Sequence, residues 1–314
     1  MAYGPGKGYR EGMTLVQLLK KFPDDDAARE WFEAQIWPSG AHCPYCGSCN
    51  VQCNIKHPTM THRCRDCPKR RMFSLKSRTV MQGSPLGYQT WAIAIYLVTT
   101  SLKGVSSMKL HRDLGINQKS AWYLAHRIRE AWKRDEGPFL GPAEADETHV
   151  GGKLKNMHGD KREAARDRYN YGKSIVVGVK DRQTNKVSAG VVDNTTALTL
   201  QSFIEERVVS DARVYTDDGA GYRNMPFFDH DTVNHSAGEY VRGDVGTQGI
   251  ESFWSMLKRA HTGTFHKISP KHLDRYVTEF AGRHNMREYD TLNQMGEIVR
   301  GMVGRRLRYA DLIR

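Results

Sequence analysis

The chain has 314 residues, of which 39% are apolar; this is enough for two or more globular domains and excludes a disordered protein. The most apolar segment, TWAIAIYLVTT (90–100), is shorter than the roughly 18 residues that a membrane span needs. The chain carries 47 Lys and Arg against 35 Asp and Glu, and a net charge of +12 favours a polyanionic partner. The first residues contain no apolar signal segment, so we expect a cytoplasmic protein.

Residues 1–40 are predicted to form an N-terminal helical segment. The stretch TLVQLLKKF (14–22) has the apolar spacing of a helix, and DDDAAREWFEAQIW (24–37) begins with acids, which stabilise a helix N-terminus. We expect this segment to dock on the cysteine-rich region that follows.

All six cysteines lie within the next predicted domain, residues 41–80. Two C-x2-C pairs are separated by seventeen residues, a spacing with which four thiolates can close a tetrahedron around one zinc ion. Cys49 offers an alternative pairing with Cys46. The motif leaves no open ligand position, which indicates a structural rather than a catalytic zinc. The predicted ligands of this zinc ribbon are Cys43, Cys46, Cys64 and Cys67.

Basic residues surround the second cysteine pair. A dense run of cations beside a metal-held turn is typical of a surface that contacts phosphates. The residues that we predict to bind DNA here are Arg63, Arg65, Lys69, Arg70 and Arg71.

Residues 85–135 show helical patterns with one break. The apolar spacing stops at Asp113–Asn117 and resumes at Ser120, with Gly115 in between. Two helices joined by a short turn that contains glycine are the layout of a helix-turn-helix, although simple helix packing produces the same pattern. On the DNA-binding interpretation, Lys119 and Arg127 of the second helix contact DNA.

From about residue 140 the pattern changes to strands flanked by helices, which indicates a mixed α/β domain. One strand contains Asp146, a second ends at Asp217, and a later amphipathic helix carries Glu251 and Lys258 on the same side. An acid before glycine is often only a turn former, and Glu–Lys pairs are common on helix surfaces. Three acids that converge at one sheet edge instead favour binding of Mg²⁺ or Mn²⁺, as two ions, with the lysine on a substrate phosphate.

Several motifs carry a resemblance to a known family. The strings CPYCGS, ADETHVGGK, TDDGAGY and IESFWSMLKR occur in the order found in the IS1595-type (ISXO2-like) bacterial insertion-sequence transposases, which the chain resembles from about residue 13 to 290. The resemblance implies a zinc ribbon followed by an RNase H-like catalytic domain over 140–290. It also implies an enzyme of the DDE class that cuts transposon ends and joins their 3′-hydroxyls to target DNA.

Within that resemblance, the catalytic acids are Asp146, Asp217 and Glu251, and Lys258 is their basic partner. Asp218 competes with Asp217. The third acid is the variable position of the family, and Asn234, His235 and Gln248 are alternatives.

Outside the acids, Lys267 and Lys271 are predicted to hold DNA, and residues 291–314 are predicted to be a basic C-terminal tail. Because two transposon ends must be handled together, we expect a dimer or a higher oligomer on DNA.

Two other functions fit the same sequence. A DNA-binding regulator could combine the zinc ribbon and helix-turn-helix with an inert RNase H-like domain, but such a protein has no need of three acids. A nuclease of the same fold would cut DNA without joining it, and hydrolysis and strand transfer use the same metal pair.

Overall fold

The computed structural model describes residues 12–68, 71–133, 136–152, 159, 163, 172–234, 237–239 and 241–314. These residues form two compact units. The first contains the described residues up to 133 together with 287–314, and the second contains residues 136–286. Within the described ranges, no helix combines the length and the apolar character that a membrane crossing requires.

The first unit begins with two short capped helices, α1 (Leu15–Lys21) and α2 (Asp25–Ile36). The Thr14 hydroxyl accepts the backbone N–H of Gln17, and the Gln17 side chain in turn accepts the Thr14 N–H, which forms a capping box. Asp24 caps α2 in the same way through the N–H of Ala27. These helices lie where the sequence predicts them.

A small antiparallel sheet follows, and it carries the cysteine pairs. Its strands are paired in chain order: β1 (Val51–Gln52), β2 (His62–Cys64) and β3 (Met72–Phe73). Gly47 has φ +76° directly after the first cysteine pair, a left-handed conformation that glycine adopts without steric cost.

Three helices complete the middle of the unit, namely α3 (Tyr88–Thr100), α4 (Ser107–Leu114) and α5 (Gln118–Ala131). Gly115 ends α4 with φ +63°, and the Asn117 side chain caps α5 by accepting the N–H of Ser120. The helix–turn–helix arrangement predicted from the break in spacing is therefore present.

The C-terminal residues belong to this first unit rather than forming a separate tail. They form α9 (Thr291–Gly301) and α10 (Tyr309–Ile313), and the Tyr123 hydroxyl of α5 donates to the carbonyl of Leu307 at 2.7 Å. Met295, Ile298 and Val299 are fully buried and form an apolar stripe on α9. The arginines of residues 291–314 lead to the prediction of a basic tail, although this stripe is present in the same segment.

The second unit is built on a five-stranded mixed sheet. Its strands are β4 (Ala143–Gly151), β5 (Lys173–Asp181), β6 (Val187–Val192), β7 (Arg213–Asp217) and β8 (Asp229–Val233). Their order across the sheet is β6-β5-β4-β7-β8. β4 pairs antiparallel with β5, and β5 with β6, whereas β4 is parallel to β7 and β7 is parallel to β8. The order and directions are those of the expected RNase H-like sheet.

Helices cover both faces of this sheet. On one face, α6 (Ala197–Glu205) packs on alternate residues of β4 and β5. On the other, α7 (Gln248–Ala260) and α8 (Pro270–Asn285) form a second core with the intervening residues of the strands. A short hairpin, β9 (Val241–Arg242) and β10 (Val245–Gly246), leads directly into α7.

The last residue of α8 closes part of the sheet edge. β6 is an edge strand, and the Asn285 side chain accepts the N–H of Val187 at 2.7 Å and donates to its carbonyl at 2.9 Å. The amide therefore takes the place of one residue of a neighbouring strand.

Candidate active site and metal centres

The sheet register brings Asp146 and Asp217 to the same edge. β4 and β7 are parallel and pair at Glu144 opposite Tyr215. Asp146 and Asp217 each follow their member of this pair by two residues, so they lie on adjacent strands at the same level and on the same face.

Asp146 is fixed by the helix that covers its face. The indole Nε1 of Trp254 on α7 donates to Asp146 Oδ2 at 2.9 Å. The indole has room because the residue opposite Asp146 on β5 is Gly178. A Cβ there would lie 2.7 Å from Trp254 Cη2 and 3.0 Å from Ile250 Cδ1, so only glycine fits without displacing the helix.

Burial and neighbouring charge disfavour ionisation of Asp146. Burial, the Asp217 carboxylate and the Glu147 carboxylate raise its pKa to about 7, against the lowering effect of the Trp254 hydrogen bond. Burial, followed by the Asp217 charge, also raises the pKa of Glu147, whose Oε2 accepts the Tyr222 hydroxyl at 2.5 Å. These acids form a concentration of negative charge that a cation would neutralise.

α7 brings the other predicted residues to the same space. Glu251 lies in its first turn, with Oε1 accepting the Thr247 hydroxyl at 2.8 Å, and Lys258 lies two turns further on. Asp146, Glu251 and Lys258 line one cavity of about 650 Å³. The remaining residues of its lining are Glu147, Thr148, Trp254, Ser255, Arg259 and Thr262.

Two of the three predicted metal-binding acids, Asp146 and Glu251, line this cavity, whereas Asp217 is not part of its lining. Among the described residues, the carboxylate oxygens of Asp146, Asp217 and Glu251 do not all lie within 4.8 Å of one another. Coordination of one ion by all three acids therefore stays a prediction.

The alternative residues are placed as follows. Asp218 is exposed just beyond β7, whereas the half-buried Asp217 influences Asp146 directly. The Asn234 side-chain oxygen accepts the N–H of Ala237 within its own turn. Gln248 is exposed at the start of α7, and His235 lies outside the described residues.

The cysteine pairs form the predicted second centre. The sulfurs of Cys43, Cys46 and Cys67 lie within 4.8 Å of one another, and the sulfur of Cys64 is 3.7 Å from that of Cys46. Tetrahedral zinc with bonds of about 2.3 Å separates its sulfur ligands by about 3.8 Å, so the grouped thiols of Cys43, Cys46 and Cys67 suit the ion, and the distance from Cys64 to Cys46 matches this separation. Cys49 lies outside this group and is exposed.

An acid outside the metal motif joins the two cysteine turns. Asp66 accepts the Ser48 hydroxyl at 2.5 Å and the Asn50 side-chain amide at 2.8 Å, so it connects the segments that follow the first pair to the second pair.

The predicted DNA-binding cations differ in how accessible they are. Arg127 is 8% exposed, and its guanidinium donates to the Gln82 carbonyl and to the Tyr123 hydroxyl. Lys119 is exposed, with its ammonium 4.6 Å from the ring centroid of Tyr309. The remaining described residues of this set, all exposed, are Arg63, Arg65, Arg71, Lys267 and Lys271. Lys69 and Arg70 lie outside the described residues.

Some residues of the site are not predicted from the sequence. Trp254 looks like one more member of the apolar stripe of α7, and its N–H partner becomes visible only once Asp146 is placed beside it. The buried Glu144 and the partly exposed Arg182 form an ion pair of 2.7 Å behind Asp146. The alternation of β4 could have placed Glu144 on the face of Asp146, but no pattern singles out Arg182.

A zinc ribbon that precedes an RNase H-like sheet, with acids at adjacent parallel strands, defines a class of proteins that process DNA. Residues 138–285 match the ISXO2-like transposase domain, and residues 23–70 match the transposase zinc-ribbon domain of the same IS1595 group. The chain belongs to the ISXO2-like transposase family, as its motifs predict. Its fold class of zinc ribbon and mixed α/β domain is confirmed, and the ribbon supports a structural zinc.

A relative supports the same assignment. The chain is 25% identical over 285 residues to a protein of Halobacterium salinarum described as an uncharacterized protein in the transposable element ISH50. The match covers 85% of this chain and 93% of the relative. Family membership thus indicates a transposase function, which is that of an enzyme acting on DNA.

Proposed function

We propose that the protein cleaves transposon ends and joins the freed 3′-hydroxyls to target DNA by transesterification at phosphodiester bonds. The observation that carries the proposal is the shared cavity of Asp146, Glu251 and Lys258, which come from a strand and a helix far apart in the chain. A DNA-binding regulator has no use for this combination of acids and a lysine in one space.

The acids of the cavity fit divalent cations. Burial, followed by the charges of Asp217 and Glu147, raises the pKa of Asp146, and a bound cation would offset all three effects. Carboxylate oxygens are the ligands that Mg²⁺ and Mn²⁺ prefer. Asp146, Asp217 and Glu251 would hold the ions. When bound, such ions activate a hydroxyl and stabilise the leaving oxygen at a phosphodiester.

The part of the cavity lining that follows Glu251 along α7 suits a phosphate. Lys258 and Arg259 supply positive charge, and Ser255 and Thr262 supply hydroxyl donors on the same side of α7 and the turn after it. In this arrangement Lys258 holds the phosphate beside the acids, and the hydroxyls orient its oxygens.

DNA outside the cavity would be held by cations of both units. Arg63, Arg65 and Arg71 extend along the zinc ribbon, whereas Lys267 and Lys271 follow α7. Since two transposon ends react together, the working form on DNA is a dimer or a higher oligomer.

A joining assay tests the proposal. Purified protein is incubated with labelled transposon-end DNA and a target plasmid in Mg²⁺, alongside Asp146→Asn, Glu251→Gln and the control Asp218→Asn. We expect joining by the wild type and the control, and none by the other two variants.

The alternatives give different results in the same assay. Cleaved ends without joined products indicate a nuclease, and a gel shift without either product indicates a regulator. Joining by Glu251→Gln would place the third metal ligand elsewhere, and loss of joining in Asp218→Asn would exchange the roles of Asp217 and Asp218.

A further inference from the structure

Behind the candidate active site, a buried carboxylate links strand β4 to helix α7. Glu144 is 4% exposed and lies on the same face of β4 as Asp146. Its Oε2 accepts the backbone N–H of Ile250 at 2.8 Å, and its Oε1 accepts Arg182 Nε at 2.7 Å. Both oxygens are thus used, one by the helix and one by the arginine.

Glu144 supplies the cap that the helix itself lacks. Thr247 is the N-cap residue of α7, but its side chain makes no capping bond, and its hydroxyl donates to Glu251. The first-turn N–H groups of a helix need acceptors, and a carboxylate there also interacts favourably with the helix dipole. Gly249 permits the approach, since a Cβ at that position would lie 2.6 Å from Glu144 Oε2.

Arg182 extends the link to two more elements. Its guanidinium donates to the carbonyls of Asp244 and of Gly246, the latter at 2.8 Å, and so holds the hairpin that leads into α7. The guanidinium carbon also lies 4.5 Å from the ring centroid of Tyr215, two residues before Asp217 on β7. The pair therefore touches the three elements that carry Asp146, Asp217 and Glu251.

We propose that Glu144 and Arg182 are positioning residues that set the first turn of α7, and with it Glu251, against the strand that carries Asp146. The inference rests on the proposed function, because it assigns these residues to the metal-binding geometry of that reaction. Stability alone does not account for the pair, since the cost of desolvating the buried Glu144 carboxylate offsets much of its attraction to the partly exposed Arg182.

The experiment compares Glu144→Gln and Arg182→Gln with Glu279→Gln in the full chain. Glu279 forms a buried ion pair in the same unit, with Arg283 at 2.6 Å, but lies on α8 and does not line the cavity. The glutamine at 144 keeps the side-chain volume but leaves one oxygen to serve two donors. Arg182→Gln provides a second test because Arg182 is the more exposed partner.

Two readouts are measured for each variant. One is the Mg²⁺ concentration that gives half of the maximal rise in melting temperature without DNA, and the other is the Mg²⁺ concentration for half-maximal joining. Loss of a group that orients metal ligands costs about 10-fold or more in metal affinity, so we expect both concentrations to rise about 10-fold in Glu144→Gln and Arg182→Gln. Glu279→Gln is expected to lower the melting temperature and leave both concentrations unchanged.

The outcomes separate this inference from the proposed function. If the wild type joins ends and both test variants require no more Mg²⁺ than the wild type, the positioning role is wrong. It is also wrong if Mg²⁺ leaves the melting temperature of the wild type unchanged. If Mg²⁺ stabilises the wild type and the test variants weaken that effect, but no joining occurs, the positioning role holds and the proposed reaction fails.

Discussion

Replacing Asp146 by Asn should stabilise the metal-free protein at high pH while it abolishes joining. The aspartate ionises in a buried place beside Asp217 and Glu147, which raises its pKa from 3.8 to about 7. Between about pH 4 and pH 7 the folded protein therefore binds more protons than the unfolded chain, so its stability falls as the pH rises through this window. Asn carries no charge and keeps an oxygen that can accept the Trp254 indole N–H.

The size of the effect follows from the same rise in pKa. At about 1.4 kcal/mol per pH unit, ionising Asp146 above pH 7 costs the folded state up to about 4 kcal/mol. Solvent in the open cavity screens part of this cost, and we therefore expect a gain of about 2 kcal/mol for the Asn variant. For a domain of this size the gain corresponds to a rise in melting temperature of roughly 4–8 °C.

The assay is thermal unfolding of the zinc-loaded wild type and Asp146→Asn in buffer without Mg²⁺ and without a chelator, followed from pH 4 to pH 8. The difference should be near zero at pH 4 and largest at pH 8, and Mg²⁺ should stabilise the wild type more than the variant. A variant that is no more stable than the wild type at pH 8, or equally stabilised at pH 4, would refute the electrostatic account of the site.

Three further predictions concern other parts of the chain. Cys64→Ser should remove zinc and disorder the ribbon. Metal analysis should then find less bound zinc, and thermal unfolding should lose its cooperative transition. Gly178→Ala should force Trp254 off Asp146, costing about 1–3 kcal/mol in denaturant unfolding and lowering joining more than DNA affinity; unchanged joining would contradict the role of the indole. Lys119→Gln should lower the slope of log DNA affinity against log salt concentration by about 1, which corresponds to the loss of one phosphate contact. Lys20→Gln is the control.

Local patterns account for the parts of the molecule that the sequence predicts well. The cysteine spacing specifies the ribbon because the ligand pairs are tight turns within one short segment. Asp146 and Asp217 could be placed on strands because each belongs to a short motif, and their role as metal ligands stays a prediction. The helix-turn-helix layout follows from Gly115 and a break in periodicity. Each of these features depends on neighbours a few residues away.

Contacts between distant segments account for what the sequence does not predict. Arg127 looks like an exposed helix cation, but its surroundings come from Gln82 and Tyr123, and the former lies 45 residues away. Similarly, the arginines after residue 303 suggest a basic tail, whereas Arg305 donates to the carbonyls of Glu130 and Lys133 and Leu307 is buried. Periodicity shows which side of a helix is apolar but not which segment covers it.

The amide of Asn285 at the edge of β6 has a consequence for how copies of the protein meet at high concentration. An open strand edge invites a second chain to add a strand and start a β-aggregate. At Val187 both backbone groups are already bonded to the amide, so an incoming strand must first displace the end of α8. The side chain thus blocks strand addition at this point of the edge, and we expect Asn285→Ala to begin to aggregate at a lower protein concentration than the wild type.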